Sequence, residues 1–169
     1  NKSQSMYSFS IISIHGKLVI DKGGRTMTEQ TLVIIKPDGV RHNLIGRILQ
    51  RFEDRRLVIS HMRLDTMTEE LARKHYAHLQ DRPFFQEILD YMTSGPVVYL
   101  VLEGENIIQL VRAMVGVTDG AKAAPGTIRG DFATNKSENI IHASDSPEAA
   151  RAEIERFFGK VPAIIECVS

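Results

Sequence analysis

Cysteine is almost missing from this chain: Cys167, close to the C-terminus, is the one copy in 169 residues. A single thiol cannot close an internal disulfide, so a reducing compartment is the simpler reading. Net charge is missing too, with Lys+Arg 21 against Asp+Glu 21. No global field draws the chain to nucleic acid or to an acidic membrane, and any anion site must be local. There is no basic–aromatic stripe of the kind that binds nucleic acid. No apolar run reaches the length of a membrane span, which leaves a soluble, cytoplasmic protein with no membrane partner as the expectation. The phosphate-cradling pattern G-x-x-x-x-G-K-[ST] is absent. So is the H-x-x-x-H spacing of a zinc site: His75 and His78 fall three apart on one predicted helix and are expected to be exposed. Internal repeats and interdomain linkers are also lacking.

What remains is 43% hydrophobic and 25% charged, ordinary values for one globular domain with a sizeable core. Residues 1–26 stand apart from the rest. "SFSIISI" is too short for a signal peptide and lacks a basic flank, while "GKLVIDKGG" suits a short strand and turn. These residues read as an appended or poorly ordered extension, and 27–169 as the domain proper.

From Thr31 onwards the pattern is regular. "TLVII" reads as a strand ended by Pro37 and the Asp38-Gly39 turn signal. Asn43 is placed to cap a helix carrying Leu44, Ile45, Ile48, Leu49 and Phe52 on one face. A second strand is predicted over 57–64, then a helix opened by a Thr66/Glu69 capping box and running to about Leu79, then a short one from Pro83. "PVVYLVL", 96–102, has the unbroken apolarity of a central strand. A helix follows with Ile107, Ile108, Val111, Met114 and Val115 on one face and Gly116 as its stop. Residues 117–138 read as a long loop. The chain closes with a strand at "NIIH" and a helix from Pro147 to about Phe158, capped by Ser146. This βαβα alternation favours a parallel sheet on periodicity alone, without excluding an antiparallel α+β one.

The chemistry gathers around "NIIHASDS", 139–146. His142 sits between a strand end and a helix N-terminus, where anions are favoured. A lone histidine is usually a packed and satisfied one. Three cations sharpen the reading: Lys36 at a strand end, Arg112 in the last turn of its helix, and Arg129 between two glycines of the long loop. Each has a structural role available: a solvated exit, a dipole partner, a loop charge. Together with an imidazole they supply what phosphoryl transfer needs, a nucleophile and positioned positive charge. Neither arginine is expected in the core. Glu153 flanks the apolar face formed by Ala150, Ile154 and Phe157, where an acid is able to orient His142.

"TLVIIKPDGV", "HYAHLQDRPFF", "SGPVV…VLEG", "APGTIRGDF" and "NIIHASDSPEAA" occur in that order, and together they resemble the nucleoside diphosphate kinases over Met27 to Phe158. The resemblance implies a ferredoxin-like α+β sandwich, a four-stranded antiparallel sheet covered by helices. It implies phosphoryl exchange between nucleoside tri- and diphosphates (ATP, GTP, CTP, UTP and deoxy forms) by a ping-pong route through phospho-His142. Glu153 and Ser144 would orient that histidine. Lys36, Tyr76, Arg112, Thr118 and Arg129 would surround the phosphates, Asn139 and Lys36 would contact the sugar hydroxyls, and Phe84 would stack on the base beside Ile88. Stacking without base-edge contacts tolerates every base. Mg²⁺ would ride on the nucleotide phosphates, with no protein ligand of its own.

Three positions depart from the family's usual pattern. Ala143 follows the histidine where glycine is common, "TNKSEN" leads up to it, and Gly120 stands where proline is frequent. None removes a catalytic side chain. A proline at 120 is expected to stiffen the loop and raise the melting temperature. The resemblance further implies a homo-oligomer built from dimers, hexamer favoured over tetramer, with "PAII" in the tail apolar enough to bury against a neighbour. Two other readings remain: a catalytically idle nucleotide-binding or scaffold relative, and protein-histidine phosphotransfer beside the main activity.

Overall fold

The computed structural model describes residues 28–161. The extension at 1–26, Cys167 and the "PAII" segment lie outside the described residues. In chain order the elements are β1 (Glu29–Ile35), α1 (Pro37–Arg41), α2 (Ile45–Asp54), β2 (Val58–Thr66), α3 (Glu69–His75), α4 (Phe85–Met92), β3 (Pro96–Gly104), α5 (Ile107–Val115), α6 (Ile128–Phe132), β4 (Ile141–Ala143) and α7 (Pro147–Phe158).

The four strands form one sheet in the order β2-β3-β1-β4, and every pairing is antiparallel. The parallel sheet favoured by periodicity is therefore corrected, and the α+β sandwich implied by the resemblance is what the chain adopts. The reason for the misreading lies in the two middle strands. Leu32 and Ile34 of β1, with Val97, Tyr99 and Val101 of β3, pack on α3, α4 and α7. Val33, Ile35, Val98, Leu100 and Leu102 pack on α2, α5 and α6. A strand covered on both faces loses its alternation, and such runs are commoner in parallel sheets.

Several local readings also change. Pro37-Asp38-Gly39 does not make a simple turn; it opens α1 with proline at the helix start, where its missing N–H costs nothing. Asn43 does not cap α2. It takes a left-handed conformation, φ 58°, as the link between α1 and α2, and Leu44 occupies the cap position. The cap of α3 is Thr68, whose hydroxyl accepts from Leu71 N–H at 3.2 Å, rather than Thr66, which ends β2. The long loop holds a 3₁₀ turn at Gly120–Lys122 and the five-residue α6. Both are too short for a periodicity window to register.

Gly120 is buried, and its N–H donates to Asn135 O at 3.1 Å. A Cβ built there would lie 2.6 Å from Ala133 Cβ and 2.7 Å from the Ala133 carbonyl carbon. A proline ring at 120 thus meets a steric wall and loses a hydrogen bond, worth about 1–3 kcal/mol when a buried partner is orphaned. The expected gain is reversed. Gly120→Pro should lower the melting temperature by at least about 5 °C, read by differential scanning calorimetry; an unchanged or higher value would show that the 120–135 segment repacks.

Candidate active site

The site begins where β1 ends. Lys36 N–H donates to Ile140 O at 2.8 Å, and two residues further the Asp38 carboxylate accepts from Ile140 N–H at 3.0 Å. Tyr91 of α4 donates its hydroxyl to the other oxygen of Asp38, which is fully buried. Ile140 needs this grip because its φ is 71°. A β-branched residue in the left-handed region costs on the order of 1–3 kcal/mol and persists only where its surroundings over-determine it. A side chain on Gly39 would come within 2.8 Å of Ile35 Cγ2 and 3.1 Å of Ile140 O, so glycine there allows the close approach.

The kink turns Asn139 inward. Lys36 Nζ donates to Asn139 Oδ1 at 2.6 Å, and Asn139 Nδ2 donates to Thr118 O at 3.0 Å. Arg129 donates to three carbonyls, Asn139 O at 3.3 Å, Gly116 O at 3.0 Å and Ile141 O at 2.6 Å. It sits on α6 and is 8% exposed, which corrects the expectation of a non-core loop residue: Arg129 braces the fold as well as carrying charge. Arg112 is exposed and reaches Ala143 O at 3.5 Å. Among the described residues Arg129's hydrogen-bond partners are carbonyls rather than carboxylates. Burial, then the Arg129 charge, lower the Lys36 ammonium to about 8 against a smaller opposing pull from Asp38. Burial and Arg112 likewise lower Arg129. These cations repel one another in a partly buried place, and a polyanion would relieve that repulsion.

On the other side of β4, His142 pairs in register with Ile34, so its ring lies on the α3–α7 face. Its Nε2 is 3.0 Å from Glu153 Oε2, and Ser144 Oγ donates to the same oxygen at 2.6 Å. Burial acts to raise the Glu153 carboxyl, yet hydrogen bonds from His142 and Ser144 and the nearby imidazole charge hold it below its ordinary value. With Nε2 engaged, Nδ1 is the nitrogen left for chemistry. Tyr76, the cap residue just past α3, is held neutral by burial and by the Glu153 carboxylate; its ring centroid is 4.7 Å from that of His75.

His142, Ser144, Glu153, Lys36, Asn139, Thr118, Arg112 and Arg129 are thus linked by direct contacts or by the β4 backbone. Ile88 packs against the same apolar cluster as Tyr76 and Tyr91. Phe84, the cap residue of α4, continues the stripe of Ile88 and Tyr91, spaced i, i+4, i+7, and is 42% exposed. Sequence reading missed Asp38, Tyr91 and His75. Asp38 looked like a turn residue and Tyr91 gave no signal. His75, expected to be exposed, is 6% exposed.

One donor atom from each of His75, His142 and Glu153 lies within 4.8 Å of the others. A cation there would have to break the His142–Glu153 hydrogen bond beside Arg156, whose Nη1 is 3.2 Å from His75 Nδ1. The nitrogen-rich set also suits Mg²⁺ poorly.

A family model described as nucleoside diphosphate kinase matches residues 29–162. The chain is 52% identical over 130 residues to a nucleoside diphosphate kinase of Acetivibrio thermocellus, covering 77% of this chain and 96% of that one. It is 51% identical over 134 residues to one from Thermoplasma acidophilum, covering 79% and 90%. Among solved structures it resembles a halophilic nucleoside diphosphate kinase from Halobacterium salinarum in complex with CDP, at TM-score 0.77 and 43% identity over 79% of this chain and 90% of that one.

The lowered Lys36 sets a pH signature. Between its folded value near 8 and the ordinary 10.5, the unfolded chain binds more protons at Lys36 than the folded one. Stability from this residue therefore rises with pH across that window. Relative to Lys36→Met, the unaltered chain should gain stability from pH 8 to 10.5 in urea melts; a constant difference would mean that Lys36 titrates normally.

Proposed function

The chain belongs to the nucleoside diphosphate kinase family and is an enzyme of nucleotide phosphoryl transfer; from that premise we propose how its own residues carry out the exchange. The observation that carries the proposal is the hold of Glu153, itself fixed by Ser144, on Nε2 of His142, which leaves Nδ1 as the nitrogen for chemistry. Nδ1 attacks the γ-phosphorus, the bond from phosphorus to the bridging β-oxygen breaks, and the nucleoside diphosphate leaves. Glu153 holds the Nε2 proton throughout and stabilises the imidazolium character that develops. A second nucleoside diphosphate attacks phospho-His142 in the reverse sense.

Lys36, Arg112 and Arg129 surround the phosphates in this reading, with the Thr118 hydroxyl and Tyr76 phenol as neutral donors. Their charge is already in place, so no reorganisation is needed as charge shifts in the transition state. Asn139 and Lys36 take the sugar hydroxyls. Phe84 stacks on the base with Ile88 beneath it, the source of broad base tolerance. The substrate is the magnesium complex of the nucleotide: bound Mg²⁺ neutralises phosphate oxygens, and no protein carboxylate is assigned to it. The kinase domain runs over 27–169, with 1–26 an added extension, in the cytoplasm; among the described residues no helix is long and apolar enough to cross a membrane. The complete cation and nucleophile set argues against an idle scaffold.

The assembly we assign is a homo-oligomer built from dimers, hexamer over tetramer. Its support is β2, an edge strand with Met62 60% and Leu64 59% exposed. Both lie on the face that pairs them with Leu100 and Val98, beyond the cover that α2 gives Leu57 and Ile59. Exposed apolar side chains on a strand that is an edge among the described residues invite a second copy.

ATP without acceptor should leave acid-labile, alkali-stable phosphate on His142, discharged by GDP or CDP and absent from His142→Ala. Label on serine, or no label, sinks the ping-pong route. Met62→Glu with Leu64→Glu should shift light scattering at micromolar concentration to a smaller species, whereas an unaltered protein that is already an active monomer refutes the assembly.

A further inference from the structure

His75 ends α3 and has no part in the transfer described above, yet it is one of the most enclosed polar groups of the site. Its ring meets His142 edge-on, centroids 4.8 Å apart at 84°, and Phe157 at 5.2 Å and 66°. Arg156 sits one helical turn beyond Glu153 on α7, so the two side chains share a face. Arg156 Nη1 lies 3.2 Å from His75 Nδ1. A guanidinium only donates, so Nδ1 must present its lone pair and the His75 proton must sit on Nε2. The groups facing His75 are His142, Glu153, Arg156, His78 and the Tyr76 ring. Burial first, then electrostatic coupling to His142, lowers its imidazole to about 3, against a smaller opposing pull from Glu153. The last turn of a helix would otherwise favour a charged histidine.

The need for such a residue follows from how His142 is held. Its backbone fixes Cβ and Glu153 fixes Nε2. Two anchors define an axis about which the ring still rocks, carrying Nδ1 sideways. A near-perpendicular ring packed against it supplies the missing third point. We propose that His75, locked into one tautomer by Arg156, is a positioning residue that fixes the plane of the His142 imidazole for in-line attack. A charged His75 would instead compete with His142 for Glu153, and Arg156 makes that state costly.

This inference rests on His142 being the nucleophile, which labelling of the unaltered enzyme tests by itself. Single-turnover phosphorylation by ATP and Mg²⁺ then tests the positioning. In His75→Ala the saturating rate should fall at least about tenfold, because small misplacements of reacting atoms are costly. The half-saturating ATP concentration should stay within about twofold, since no phosphate contact is lost. His75→Phe keeps a ring edge and should recover most of that rate, and it serves as the folded comparison if His75→Ala melts below assay temperature. Two-bond ¹⁵N spectra of the unaltered enzyme should show His75 with its proton on Nε2, and a mixture of tautomers in Arg156→Leu. An unchanged saturating rate in His75→Ala, equal rates for the alanine and phenylalanine variants, or a proton on His75 Nδ1 in the unaltered enzyme would each overturn the inference.

Discussion

The backbone of one residue, Ile140, carries the geometry of the site. Its carbonyl accepts from Lys36 and its N–H donates to Asp38, so the end of β1 holds the approach to β4 from both sides. Release of that grip would let the chain relax out of the left-handed region, since nothing local to isoleucine favours it. Asn139 would then swing away from Lys36, and the start of β4 would lose its register against β1. Tyr91 extends the hold to α4, because its hydroxyl is spent on Asp38. The stripe of α4 that carries Phe84 and Ile88 is thereby tied to the same carboxylate. Strain at one residue is offset by hydrogen bonds from two neighbouring elements.

The cations show the same trade in electrostatic form. Lys36 and Arg129 are partly or wholly buried and push on one another, an arrangement that weakens the empty protein. Arg129 mitigates it by giving three N–H groups to backbone carbonyls of the site. That double duty explains why the residue is enclosed while Arg112, with one long contact, is exposed. Loss of either removes charge, but loss of Arg129 takes a donor from three backbone oxygens and loss of Arg112 from one, at long range.

How much of this was legible in the sequence depended on whether a residue's role was local. The helix over Pro147–Phe158 was readable to the residue because its cap, its N-terminal proline and its apolar spacing all lie within it. The capping of α2 and α3 was misplaced by a residue or two, where several polar candidates stood close together. The sheet's direction was not readable from periodicity, since burial on two faces erased the alternation that marks an antiparallel strand. Only the motif resemblance supplied it. His142, Glu153 and Ser144 were found because they sit within one short stretch of chain. Asp38 and His75 act on partners some hundred and some seventy positions away, and no spacing rule reaches that far.

The strand order has a bearing on how this protein can change. The nucleophile rides on β4 and the exposed apolar edge is β2, at opposite margins of the sheet with β3 and β1 between them. At the usual strand separation the two margins stand about 14 Å apart, across a middle that is fully packed on both faces. Substitutions at the β2 margin can therefore accumulate, recruit different neighbours or lose them, while the reacting atoms keep their places. Quaternary structure in such a sheet is free to drift under a chemistry that is not.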